Sequence, residues 1–296
     1  MHIVMMEGGL GNQFFMYAFA RAYAALHGCQ TWIMPGNYQQ MHNGLAYFVS
    51  HGGARVYYAL DRFAITLPVT LPVYVHELAK HYPPAAPGGQ LGCIVQQPEG
   101  AGTYVPEMLD WREDAIFTGY WQSEKYFASI RDVLCSELTL RERLDAYNSD
   151  MLRQIQNSMS VGLNVRRGDY LKLQHLHPLC TDAYFNRAIA YIEQHVQQPH
   201  FFVYSDDMPW CREHLCLHSE VTWLEVPSHE RWYPVMEVVR HCRHHIISNS
   251  TFSWWAAWLC DFPDKIVIAP TPWFNAGDEH KHRDLCPPQW VFMPRE

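Results

Sequence analysis

From residue 160 onward the chain alternates short apolar runs with stretches of helical spacing, and this constrains the fold more than any other feature. Strand-like runs fall at 160–165, 200–204, 221–226, 244–248 and 265–269, with helical stretches near 181–196, 208–216, 231–242 and 250–260 between them. Alternation of this kind predicts a parallel sheet wrapped by helices. Ligands of such sheets sit outside the carboxyl ends of the strands. Here those ends read Arg166-Arg167-Gly168-Asp169, Ser205-Asp206-Asp207, Pro227-Ser228-His229, Ser248-Asn249-Ser250 and Pro270-Thr271. All but the last carry charged or hydrogen-bonding groups that a core would not hold.

The first part of the chain opens as β-α-β. His2 to Met6 has a strand's length and runs into "EGGLGNQ"; Phe15, Phe19, Ala22 and Leu26 then recur at helical spacing until Gly28, and "TWIM" (31–34) supplies a second strand. "AIFTGY" (115–120) reads as a further strand and "SEKYFASIRDVL" (123–134) as a helix capped by Ser123. Residues 36–110 hold many prolines and glycines, notably "HYPPAAPGGQ" at 81–90, and suggest long loops. The polar stretch "NSDMLRQIQNSMS" places the boundary between this part and the regular part near 155.

A formal charge of −8 argues against a nucleic-acid-binding surface. An anionic ligand therefore needs a local positive site. Nine cysteines, odd in number and without CxxC spacing, point to free thiols in a reducing compartment. No signal-type leader and no run of about 18 apolar residues is read, so a cytoplasmic protein is expected.

Arg166 and Arg167 are the first candidates for chemistry, because a guanidinium fork matches phosphate oxygens in a bidentate way. The structural alternative pairs either with Asp169 or Asp207. Neighbouring side chains of a strand face opposite ways, so one arginine is expected at the ligand and the other in a bracing role. Ser250 and Thr251 stand where a helix begins and fit either capping or anion binding. Trp254, Trp255 and Trp258 fit core packing. "GGLGNQ" is a poor dinucleotide fingerprint, since its third glycine would fall at Phe14. It still permits close backbone approach to a ligand, with Glu7, Asn12 and Gln13 in reach. The Cys211–His218 and His241–His245 clusters lack zinc spacing, and no Asp-x-Asp triplet is present to hold a diphosphate through a cation.

"GGLGNQFFMYAFARA" (8–22), "GYWQSEKYF" (119–127), "VGLNVRRGDY" (161–170), "FFVYSDD" (201–207) and "HHIISNSTFSWWAAWL" (244–259) together resemble the α-1,2-fucosyltransferases of glycosyltransferase family 11. The resemblance implies an α/β fold of the glycosyltransferase-B type, two Rossmann-like domains with the active site in the cleft between them. Residues 1–155 would be the acceptor side and 156–296 the GDP-fucose domain. It further implies inverting, metal-independent transfer of L-fucose from GDP-β-L-fucose to the 2-hydroxyl of a terminal galactose, as in lactose, with no cofactor.

By the same resemblance Arg166 contacts the β-phosphate and Arg167 braces it. Asn164 stands where relatives have histidine; Asp206 and Asp207 fall near guanine or ribose; Asn249, Ser250, Thr251 and Phe252 line the diphosphate and fucose. Gly11, Asn12 and Gln13 would face the acceptor. Asp169, ahead of Glu7, is the candidate base. No nucleic-acid partner is expected, while a lipid-linked acceptor would bring the protein to the inner face of the cytoplasmic membrane. The competing readings are the same fold with another donor or linkage, and a non-catalytic carbohydrate-binding protein.

Overall fold

The computed structural model describes residues 1–35, 40–42, 45–49, 55–70, 94–98, 100–172, 174, 178–226, 232–275, 277 and 281–296. The expected strand end Pro227-Ser228-His229 and the loop 81–90 lie outside these residues. The chain forms two compact units: residues 1–50, 55–139 and 280–285 in the first, and 51–54, 140–279 and 286–296 in the second.

The first unit carries a four-stranded sheet in the order β2 (Thr31–Pro35), β1 (His2–Met6), β7 (Ala115–Thr118), β6 (Ile94–Gln96), all parallel. A small antiparallel sheet is formed by β3 (Gln40–His42), β4 (Leu45–Val49) and β5 (Arg55–Tyr57). Helix α1 (Leu10–His27) ends as expected at Gly28, whose φ of 58° is a left-handed turn that glycine adopts without strain. The helix buries Phe14, Phe15, Phe19 and Tyr23. Phe19 stacks on Trp121 with centroids 4.0 Å apart.

The expected helix at 123–134 is corrected. Ser123 does accept a hydrogen bond from the Lys125 N–H, but the chain then makes two short 3-10 turns, and helix α2 starts only at Arg131 (Arg131–Glu137). Tyr126 and Phe127 explain the difference: both are buried in the unit's core, a demand that helical propensity cannot override.

The second unit is a six-stranded parallel sheet ordered β10 (Glu220–Trp223), β9 (Pro199–Ser205), β8 (Met159–Val165), β11 (His244–Ile246), β12 (Val267–Thr271), β13 (Val291–Pro294). In chain order this is 3-2-1-4-5-6, the doubly wound arrangement. β8 and β9 are buried on both faces, so they read as nearly continuous apolar runs rather than alternating ones. Helices α4 (Asp182–His195), α5 (Met208–His214), α6 (Trp232–Val239) and α7 (Thr251–Leu259) connect the strands.

The polar stretch near 150 also forms a helix, α3 (Ala146–Gln156). It is capped by the Asp145 carboxylate and buries Met151 and Ile155. The expected boundary near 155 thus falls at the end of this helix, whereas the units exchange between Thr139 and Leu140. Trp254 and Trp255 are fully buried and Trp258 nearly so. Every cysteine among the described residues is a free thiol. No helix among them is long and apolar enough to cross a membrane.

His245, on β11, is fully buried. Burial, then the charge of Lys265, pushes its pKa down to about 3. The unfolded chain binds a proton on this group below its ordinary 6.5 while the native state does not, so stability falls as pH drops through that range. Between pH 7 and 5 the cost is about 2 kcal/mol. Denaturant unfolding at the two pH values should show this loss in the wild type and a smaller one in His245→Asn; equal losses would contradict the assignment.

Candidate active site

β8 lies between β9 and β11, so the strand order reverses at this point, the crevice where doubly wound sheets bind ligands. The backbone leaving β8 carries both arginines, and the end of β9 supplies carboxylates to them. Asp206, with its side chain only 1% exposed, accepts the Arg167 backbone N–H on Oδ1 at 2.8 Å and sets Oδ2 2.8 Å from Nη1 of Arg166. Oδ2 has no aligned hydrogen bond, so its contact with Arg166 is one of charge. A Cβ on Gly168 would stand 2.4 Å from that same oxygen, which requires glycine there. Gly168 therefore lets the turn close over a buried acid.

Arg166 also donates from Nη2 to Asp169 Oδ1 at 2.5 Å, and its guanidinium lies 5.4 Å from the Tyr170 ring. Burial alone would lower its pKa; Asp206 and then Asp169 outweigh that and raise it, so Arg166 stays charged. Arg167 is held from three sides. Asp206 takes its backbone N–H, Asp207 takes Nε at 3.0 Å, and its guanidinium lies 4.2 Å above Trp210. Trp210 in turn stacks on His214. The two terminal nitrogens of Arg167 have no hydrogen-bond partner among the described residues.

Asp207 also caps α5, accepting the Trp210 N–H, so the carboxylates expected near guanine or ribose are committed to the arginines in this structure. Both arginines are paired: Arg166 with the carboxylates of Asp206 and Asp169, and Arg167 with that of Asp207.

The end of β11 joins this cluster through Tyr170, whose hydroxyl donates to the Asn249 carbonyl at 3.3 Å. The Asn249 side chain is spent internally: Nδ2 donates to the Pro178 and Trp273 carbonyls and Oδ1 accepts from Cys180. Asn164 is buried likewise. It accepts from Ser248 Oγ at 2.6 Å and donates to the Tyr204 carbonyl, tying the ends of β8, β9 and β11 together. Both asparagines, expected from the sequence to line the donor site, are buried in this structure and bonded to neighbouring protein groups.

Ser250 starts α7 without a side-chain capping bond, and the N–H groups of the first turn have no intrahelical acceptor. Thr251 and Phe252 are half-buried, and Phe252 packs edge-on to Trp232.

In the first unit, Gln13 is fully buried. Its Nε2 donates to the carbonyls of Gly8 and Tyr57, and its Oε1 accepts from the N–H groups of Ala59 and Leu60. Gln13, expected from the sequence to face the acceptor, acts here as a backbone staple. Gln13→Ala should cost at least about 3 kcal/mol, since several buried backbone groups lose partners worth ~1–3 kcal/mol each. Unfolding midpoints that match the wild type would overturn this.

Gly11 is buried within α1, while Asn12 is half-buried and accepts from Nε2 of Gln122 at 3.0 Å. Glu7 is exposed at the end of β1. Gln122 is not among the residues that the sequence points to. Its signal is its place in "GYWQSEKYF", which packs against α1 through Trp121 and Phe127. Trp210, the aromatic neighbour of Arg167, escapes sequence reading because side chains that converge only in space leave no spacing to read. No group of three or more His, Cys, Asp or Glu side chains among the described residues is placed to hold a metal ion.

A parallel sheet of this order, with two guanidinium groups and an open helix start at its reversal point, defines a doubly wound α/β protein with an anion-competent crevice. The chain belongs to glycosyl transferase family 11, whose family model matches residues 113–294. It is 30% identical to an α-1,2-colitosyltransferase of Escherichia coli over 98% of this chain and 97% of that protein. It is 29% identical to the galactoside α-(1,2)-fucosyltransferase 1 of Bos taurus, over 97% of this chain and 73% of that one. The fold is similar to that of fucosyltransferase NodZ from Bradyrhizobium, with a TM-score of 0.50 at 16% identity over 86% of this chain and 91% of that chain. The protein is thus a glycosyltransferase of fucosyltransferase type, using a nucleotide-sugar donor and a glycan acceptor.

Proposed function

We propose that the protein transfers L-fucose from GDP-β-L-fucose to the 2-hydroxyl of a terminal galactose, with inversion and without a divalent cation. The observation that carries this reading is the guanidinium pair at the end of β8, linked through Tyr170 to the end of β11, from which α7 starts with free N–H groups. The acceptor oxygen attacks the anomeric carbon, the bond from that carbon to the β-phosphate oxygen breaks, and the electron pair leaves on GDP. Negative charge therefore grows on the β-phosphate, where Arg166 and the α7 start stabilise the transition state more than the ground state. Asp169 is the first candidate to receive the acceptor's proton, and exposed Glu7 is the second.

Thr251 and Phe252 complete the donor site in this reading, and Asn12 and Gln122 border the acceptor. A lipid-linked acceptor would place the enzyme at the inner face of the cytoplasmic membrane. The similarity to a colitosyltransferase favours one alternative, transfer of colitose by the same chemistry. Purified protein supplied with equal concentrations of fucosyl and colitosyl nucleotide donors and a β-galactoside should yield an α-1,2-fucosyl product by NMR. A colitosyl product would replace the donor assignment, and a linkage to another hydroxyl would replace the acceptor position.

A further inference from the structure

Two guanidinium groups meet three carboxylates at the end of β8, leaving this cluster one net negative charge. A diphosphate is poorly served by such a site unless one carboxylate withdraws. Asp206 cannot withdraw: its side chain is 1% exposed, it takes the Arg167 backbone N–H, and Gly168 leaves no room around it. Asp207 is fixed by its second task, the cap of α5. Asp169 differs from both. Its side chain is 37% exposed, and its bond from Nη2 of Arg166 is the single side-chain hydrogen bond it makes among the described residues.

The backbone around Asp169 is held independently of that bond. Leu171 N–H donates to the Arg167 carbonyl, Lys172 N–H donates to the Asp169 carbonyl, and Tyr170 is anchored on Asn249. The carboxylate can therefore swing away without unmaking the turn.

We propose that Asp169 is a resident anion that occupies the outer edge of Arg166 in the empty enzyme and is displaced from it by the nucleotide diphosphate. This rests on the donor-site reading above. Displacement exchanges one charge-assisted contact of Arg166 for another, keeping the guanidinium oriented by Asp206 throughout. It also frees a carboxylate beside the reacting phosphate only once donor is bound. Until then Asp169 is held by Arg166 and is not available to take a proton. The exchange makes the empty site self-satisfied, avoiding a half-buried arginine with an unpaired edge.

The test is GDP binding by calorimetry to the wild type and to Asp169→Asn, with Asp169→Ser as a second variant in case the first does not fold. Removing a competing negative charge should tighten GDP binding by roughly 3- to 10-fold. A purely structural role for Asp169 would move affinity the other way, so unchanged or weaker binding in both variants overturns the proposal while leaving the donor-site reading intact. A wild type that binds no GDP at all overturns both.

Discussion

Arg166→Lys is expected to lower turnover by ~10²–10³-fold, the range seen when one donor to a developing oxyanion is removed. The charge is kept in this variant, so the expected loss isolates geometry. In the wild type one edge of the Arg166 guanidinium rests against buried Asp206 while the other reaches Asp169, at 2.8 and 2.5 Å. A planar fork can hold a buried carboxylate and present a second pair of donors at once. A single ammonium on a flexible stem must choose between them, and the buried acid is the stronger claimant. The variant should therefore fold, as judged by its unfolding curve, and fail in the chemical step. Near-normal turnover would remove Arg166 from the reaction.

Asp206→Ala should instead damage both stability and activity. It takes away the acceptor for the Arg167 N–H and the fixed charge against Arg166, leaving a largely buried guanidinium with one of its two carboxylates gone. Breaking a buried pair by removing one partner costs ~3–5 kcal/mol. For units of this size that corresponds to a fall in Tm of about 10 °C. Gly168→Ala should reproduce part of this effect, because its methyl would enter the space held by Asp206 Oδ2. Asp206→Asn keeps an acceptor for the N–H and should fall between. If Asp206→Ala melts with the wild type, the clamp is not what holds the two arginines in place.

The regular half of the fold was legible because its central strands are covered on both faces, which turns 160–165 and 200–204 into unbroken apolar runs with charged groups at one end. Less legible were the short strands β6 and β13, too brief to show a period, and α3, whose polar outer face masks the buried Met151 and Ile155. At the site, residue types were easier to read than residue duties. Arg166 and Asp206 are forty positions apart, and nothing in their spacing says that they touch. Gln13 and Asn249 look like ligand-binding amides in a motif, yet each spends its hydrogen bonds on the protein's own backbone. Asn164 is likewise bonded within the protein, to the Ser248 hydroxyl and the Tyr204 carbonyl.

The central claim is that paired arginines at the end of β8 hold the diphosphate of GDP-fucose while fucose passes to a galactoside. GDP release by the purified protein, measured with GDP-fucose in excess chelator with and without lactose, tests it most directly. Release that depends on lactose and persists in chelator is the predicted result; absence of release with GDP-fucose, together with release from a different nucleotide sugar, would contradict the donor assignment.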